Sequence, residues 1–367
     1  MIQIARSRNT DAARAVTEMA PSLAKASPAL ILCFSSTEQD PGVLSRSLHG
    51  RFPGALVAGC TTAGEISSGS FGHGGVVAMP LGRDDVETVA AAVVEDLGSR
   101  MDARSALAAL EHQLGEPLSD VDLDRNVGIV LVDGLSGAED RLMEALGRET
   151  DLPFIGGSAG DDLKFERTRL FLGGKVLEKA AVLLVMRLRR GFDILKTQSF
   201  RPTGRVLRAT RVREEERVVE EFDGKPAVEA YAQALGIYPR EVEEHFKTHP
   251  LAMMVGGSPF VRAPRAAAGS GILFLCRIRE GTELALMESG GIVADTRAAV
   301  RDRVAELGGV SGAIDFHCTL RAQELEARGH LAEYGAIWAD IPAIGFATYG
   351  ECWMYHMNQT STILLLR

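Results

Sequence analysis

Cysteine is scarce in this chain. Five cysteines, Cys33, Cys60, Cys276, Cys318 and Cys352, are scattered over 367 residues, an odd number with no CxxC pair. A disulfide framework needs denser, paired cysteines, so reduced thiols in a cytosolic compartment are expected. Long hydrophobic runs are missing too. The strongest, such as residues 180–186, are far too short to cross a bilayer. Residues 1–8 carry two arginines with no long apolar core behind them, which is not a signal-peptide pattern. Nor is there a basic surplus: 49 acidic residues outnumber 40 basic ones, for a formal net charge of −9. Duplex binding needs the opposite balance. No GxxxxGK(S/T) loop occurs and no GxGxxG follows a strand, which disfavours a nucleotide-driven enzyme. These absences lead us to expect a cytoplasmic chain with no membrane span and no nucleic-acid partner.

What is present suits a globular protein. Hydrophobic residues make up 46% and charged residues 24%, enough for a full core in two or three domains. Residues 11–25 place Ala12, Val16, Met19 and Leu23 at helical spacing, although Pro21 argues against an unbroken helix. Apolar strands at 29–34, 55–60 and 128–132 alternate with helices at 43–51, 103–114 and 138–148. Strands at 169–172, 180–188, 192–200 and 205–212 then follow one another through short turns, which implies antiparallel pairing. A boundary falls near 222–224, and Pro226 then opens a helix. The expected class is α+β: two related modules, 1–222 and 223–367, with mixed or mostly antiparallel sheets flanked by helices.

A motif repeats. Residues 59–65, GCTTAGE, line up with 345–351, GFATYGE; both read GxxTxGE after a short strand entered through a proline, Pro53 or Pro342. A looser third copy covers 156–161 after Pro153. Glycine allows positive φ and close backbone approach, so such corners can present threonine hydroxyls and backbone N–H groups to a shared cleft.

At these residues the chain resembles the FIST family of intracellular sensory domains. Residues 59–66, the strand ending at Asp133-Gly134, and GGSAGDD at 156–162 look like its first module. His249-Pro250-Leu251, Val255-Gly256-Gly257, residues 281–284, Phe316-His317-Cys318 with Arg321, residues 345–351 and 356–360 look like its second. The resemblance implies a sensory role without catalysis. It points to ligand contacts at Cys60, Thr61, Thr62, Gly64 and Glu65, at Asp133, Gly157, Ser158 and Asp161, and at Arg321, Tyr349, Glu351, His356, Asn358 and Gln359. Stand-alone members of this length are similar to NosP-type proteins, which bind haem, sense nitric oxide and control a partner histidine kinase or cyclic-di-GMP enzyme. On that likeness haem b is an expected cofactor, with His356 as its axial ligand and His317, His73 and Cys60 as alternatives; a homodimer is compatible. With no CxxCH motif, covalent haem is not expected. Another small ligand, such as an amino acid, is the alternative.

Enzymatic alternatives rest on single residues. Residues 156–160 match GxSxG, but the nucleophile elbow needs a long helix after Ser158, and 165–176 reads as a hairpin. Cys60 lacks a local histidine base. His245 and His249 stand four apart without the zincin glutamate, and Pro250 ends their helix. Asp133 and Asp161 are expected to orient ligand groups or cap turns.

Overall fold

The computed structural model describes residues 2–98 and 100–367. The chain forms two compact units: one made of the residues up to Thr197 with Thr296–His356 and Ser361–Arg367, the other of Gln198–Asp295 with Met357–Thr360.

The first unit is built from one pattern used three times. The first repeat is β1 (Ala5–Ser7), α1 (Ala12–Ala24), β2 (Pro28–Ser35), α2 (Pro41–Arg51), β3 (Leu56–Thr61), β4 (Glu65–Ser67), β5 (Ser70–Gly72) and β6 (Val76–Gly82). The second is β7 (Val86–Val94), α3 (Ala103–Leu114), β8 (Asn126–Val132), α4 (Glu139–Glu149), β9 (Phe154–Ser158), β10 (Leu170–Leu172), β11 (Lys175–Leu177) and β12 (Ala181–Leu188). The third begins with β13 (Phe192–Thr197) and is then interrupted by the second unit. That unit contains β14 (Phe200–Arg213), β15 (Val218–Phe222), β16 (Lys225–Pro226), α5 (Ala227–Leu235), α6 (Val242–His245), β17 (Leu251–Val255), β18 (Ser258–Arg262), β19 (Pro264–Ala268), β20 (Gly271–Phe274) and β21 (Glu283–Ser289). The third repeat resumes with α7 (Ile292–Glu306), β22 (Gly312–Cys318), α8 (Thr319–Ala327), α9 (Leu331–Gly335), β23 (Ala343–Thr348), β24 (Glu351–Trp353), β25 (Tyr355–Met357) and β26 (Ser361–Leu366).

Each repeat contributes a set of pairings that recurs strand for strand. The sheets run β1-β6-β2-β3-β10-β11, β7-β12-β8-β9-β24-β25 and β13-β26-β22-β23-β4-β5. In each, a strand–helix–strand crossover joins a parallel pair, β2 with β3, β8 with β9, or β22 with β23, and the other pairings are antiparallel. Crossover connections of this kind are what a parallel pair requires. The hairpin after each corner does not stay at home. β4–β5 completes the third repeat's sheet, β10–β11 the first's, and β24–β25 the second's.

Alternation within the strands decides what is buried where. Leu30, Leu32 and Phe34 face a core shared with Ile129, Leu131, Ile314, Phe316 and Phe346, while Ile31 and Cys33 face α1 and α2. Phe34, Phe316 and Phe346 meet at ring-centroid distances of 4.6 to 6.4 Å, within the range where tilted aromatic pairs attract. Asp11, Asp40 and Asp102 cap α1, α2 and α3, each accepting from first-turn N–H groups. Contrary to the sequence reading, α1 runs through Pro21. Pro21 lies on the exposed face, where solvent can take the carbonyl it leaves without a donor, and burial of Val16, Met19, Ala20 and Leu23 holds the opposite face.

The second unit is an antiparallel eight-stranded sheet over a core that includes Leu207, Phe222, Tyr231, Phe246 and Leu251. α6 ends at His245, a turn earlier than the expected stop at Pro250, so His249 lies beyond the helix; among the described residues no cluster of three potential metal ligands occurs. No helix of the described residues is long and apolar enough to cross a membrane.

Candidate functional site

The three corners meet. Gly160 N–H donates to the Thr61 carbonyl at 2.9 Å, Ala63 N–H to the Ala347 carbonyl at 3.0 Å, and Tyr349 N–H to the Ser158 carbonyl at 3.3 Å. The links form a closed cycle, second to first, first to third and third to second. Gly59, Gly156 and Gly345 occupy the same register position, and a Cβ on any of them would run into the carbonyl of the neighbouring strand, of Cys33, Val130 or Asp315. Glycine is therefore required three times over.

The convergence expected from the repeat is present, but the threonines do not face an open recess. Thr62 and Thr348 are fully buried. The Thr62 hydroxyl donates to Glu65, and the Thr348 hydroxyl contacts the Ser158 carbonyl at 2.7 Å. Close packing is the reason: Gly157 has no side chain because the Thr348 Oγ1 already stands 2.6 Å from where its Cβ would be. Clefts open around the rim instead. The largest of three, about 610 Å³, runs between β1 and β5 and is lined by Arg6, Ser7, Arg8, Glu65, Ser70 and Gly72 among others. A second of about 400 Å³ is lined by Thr37, Asp40, Thr61, Asp161, Lys164 and Arg169. A third of about 450 Å³ is lined by Asp96, Asp133, Leu135, Thr168, Glu178 and Lys179.

Glu65 is the most perturbed group in these clefts. Its Oε1 accepts from Thr62, and its Oε2 accepts from Gly75 N–H at 2.9 Å. Burial pushes its carboxyl up to about 8; those two hydrogen bonds oppose the rise, and the nearby charges of Asp162 and Glu38 add to it. At neutral pH Glu65 is mostly uncharged, an acid that can donate as well as accept. Gly64 beside it has φ of 136°, and a Cβ there would stand 3.1 Å from His73 Nδ1.

Asp161 and Asp133 behave as turn caps. Asp161 accepts from the N–H groups of Phe165, Glu166 and Arg167 at 2.6 to 2.9 Å and from the Tyr349 hydroxyl. Burial works against its charge, yet these donors together hold its carboxyl below the ordinary value. Tyr349 stacks on Phe165 at 4.8 Å, and burial with the Asp161 contact raises its hydroxyl. Asp133 accepts from Leu135 N–H, from the Thr168 hydroxyl and from Lys179 N–H at 2.6 to 3.0 Å.

The remaining expected residues lie apart from the clefts. Cys60 is sealed in the shared core, and burial, with Cys33 beside it, drives its thiol well above the ordinary range, so it offers no thiolate. The Ser158 hydroxyl donates to Glu139 at 2.9 Å, and the chain reaches β10 after it without the helix a nucleophile elbow needs. Glu351 is the register equivalent of Glu65 and is fully buried. His356 turns Nδ1 toward Asp140 Oδ2 at 3.4 Å, and its Nε2 edge lies against Gly350, where an added Cβ would collide with it. So placed, the imidazole lines none of the three clefts. His317, the other expected histidine, is fully buried and bonded to Tyr334. In the second unit, Asn358 Oδ1 accepts from Cys276 Sγ at 2.8 Å and Gln359 Nε2 donates to the Lys247 carbonyl at 2.8 Å.

Arg321 is buried within the first unit. Its Nη2 donates to Thr296 Oγ1 at 2.9 Å and its Nη1 approaches the Thr197 carbonyl at 3.5 Å, so one guanidinium touches the residues at which the chain first leaves this unit and first re-enters it. Sequence reasoning missed Arg6, Arg8, Ser67 and Ser70 at the cleft between β1 and β5. The two arginines had one available signal, their i, i+2 spacing, which places both on one side of a strand.

The class is a module of three interlocked strand–helix–strand repeats with polar clefts of ligand size among them. The FIST N domain matches residues 29–225 and the FIST C domain residues 227–354. The chain therefore belongs to the FIST family, whose domains are sensory, signal-transduction modules that bind small ligands. It is also 29% identical over 188 residues to an uncharacterized protein of Methanocaldococcus jannaschii, a match covering 47% of this chain and 36% of that protein. The chain thus spans only about a third of the length of the curated relative it matches.

Proposed function

We propose that the protein senses a small polar molecule in the cleft between β1 and β5 and passes its occupancy to a partner protein, with a histidine kinase or cyclic-di-GMP enzyme as the partner class the family suggests. Glu65 carries this reading. Burial makes the ionised form of this carboxyl costly in a ligand-sized cleft, and perturbed acids of this kind concentrate at functional sites. Glu65 also sits on the corner cycle, two residues beyond Ala63, whose N–H bonds the third repeat. A ligand that changes its hydrogen bonding acts directly on the link between repeats, and differential binding to two arrangements is what a sensor needs.

The test is a screen of small polar compounds by thermal shift, followed by amide exchange on any hit. A ligand at one hundred times its Kd stabilises by about 2.7 kcal/mol. Exchange should slow across residues 63–75, and Glu65→Ala should abolish the response. A screen in which nothing protects this segment defeats the proposal. Haem supplies a separate arm: a Soret band that survives gel filtration and is lost in His356→Ala would replace this reading with a haem-based sensor of nitric oxide.

A further inference from the structure

We propose that the β1–β5 cleft takes a small anion, a molecule bearing a carboxylate or phosphate head group. This rests on reading that cleft as the sensing site and specifies what it binds. Counting donors and acceptors carries the proposal. The acidic side chains that line the cleft are already engaged. Glu18 accepts from the Ser7 hydroxyl and from Asn9 Nδ2, and Glu65 from Thr62 and Gly75. The imidazole there is engaged as well, with His73 Nε2 3.5 Å from Glu326. Four donors are not. The guanidinium groups of Arg6 and Arg8 and the hydroxyls of Ser67 and Ser70 line the same cleft and have no hydrogen-bond or ion-pair partner among the described residues.

A cleft with its acceptors occupied and its donors free selects a ligand rich in acceptors. Two guanidinium groups set the charge. Each offers a planar fork of N–H donors that matches a carboxylate or phosphate edge, and charge-assisted hydrogen bonds of this kind are the strong ones. The local sign is the reverse of the whole: a pair of unpaired cations faces a cleft in a chain of net charge −9. Ser67, almost fully buried, supplies a fixed hydroxyl inside the cleft, and Arg6, exposed on the edge strand β1, supplies the approach. The volume of about 610 Å³ suits a small metabolite.

The experiment uses the full chain and two probes, sodium succinate and inorganic phosphate, in thermal-shift and calorimetric titrations against sodium chloride at equal ionic strength and against glycerol as a neutral control. One or both anions should stabilise the protein beyond the chloride control. Succinate alone would identify a carboxylate ligand, phosphate alone a phosphorylated one. Arg8→Ala and Arg6→Ala should each weaken binding by about tenfold, the scale of one hydrogen bond to a charged group. Both residues are exposed, so the variants should keep the parent's denaturation midpoint. Responses equal to chloride for both anions, or binding unchanged in the double arginine variant, overturn the proposal. Protection of residues 63–75 by a neutral compound, with no response to either anion, would overturn the anion assignment while leaving the sensory reading intact.

Discussion

The first and third repeats pair their strands in the same register yet differ in what lies under their helices. Opposite Gly59 the first repeat has Cys33; opposite Gly345 the third has Asp315. Next to Ser35 in the first is Val76, and next to His317 in the third is Ser361. The second repeat follows the first, with Val130 and Ala181 at these places. In the third repeat alone the layer is polar. Asp315 accepts from the Ser361 hydroxyl at 2.6 Å and from the Tyr334 hydroxyl at 2.8 Å, and Tyr334 also meets His317 Nδ1 at 3.0 Å. Burial pushes Asp315 up to about 6, with Ser361, Tyr334 and the Arg321 charge pulling the other way. Burial, helped by that same charge, holds His317 well below its ordinary value. One backbone thus accepts either an oily or a hydrogen-bonded layer. The polar one occurs in the repeat interrupted by the second unit, with Arg321 bound to Thr197 and Thr296 at the point of interruption.

The sharpest way to break this comparison is Asp315→Ala. It strips the acceptor from two buried hydroxyls and removes a buried carboxylate that feels the Arg321 charge, so a loss of about 3–5 kcal/mol is expected in urea denaturation. Cys33→Ala, at the matching place, should cost about 1 kcal/mol, the scale of a small apolar truncation. Combining Asp315→Cys, Ser361→Val and Tyr334→Phe, which imitates the first repeat, should recover much of the loss; failure to do so would show that the polar layer is specific to its surroundings.

Acid titration is the next largest effect. Both Asp315 and Glu65 have folded values above their ordinary ones, so the folded state binds more protons, and stability falls as pH rises. The contribution of Asp315 is complete below about pH 4 and gone above about 6; that of Glu65 is complete below about 4.5 and gone above about 8. Denaturation midpoints should therefore decline between pH 4 and 8 and level off beyond. Glu65→Gln should flatten the segment from pH 6 to 8 and make the lower one shallower, leaving there the decline due to Asp315. The smallest effect is expected at the second corner, where Ser158→Ala should cost about 1 kcal/mol by removing one hydrogen bond to Glu139, with no change in any ester hydrolysis.

The sequence revealed the corners but not their connections. GxxTxGE at 59–65 and 345–351 gave two copies, and the looser third at 156 proved to be the same corner with residues 161–168 let in before Leu170, which takes the pairing place of Glu65 and Glu351. The α+β class followed from alternation, but the short turns misled: the successive strands read at 169–172, 180–188, 192–200 and 205–212 do not pair with one another and take other strands as antiparallel partners. The exchange of hairpins between sheets was not legible, because a strand of three residues such as β4 or β10 has the same pattern whichever partner it joins. The ligand residues were only partly legible. Thr62, Thr348 and Cys60 stood out by motif and turned out to be interior, whereas Arg6 and Arg8 carry no motif. A charged residue inside an apolar strand, Asp315 in GAIDFHC, was a visible sign of the polar layer.

Because every repeat lends its hairpin to a neighbour, none of the three owns a complete sheet. Loosening β4–β5 removes the margin of the third repeat's sheet, and the same holds around the circle. Unfolding of this body should be all-or-none, and strain introduced at any one rim is borne by the other two.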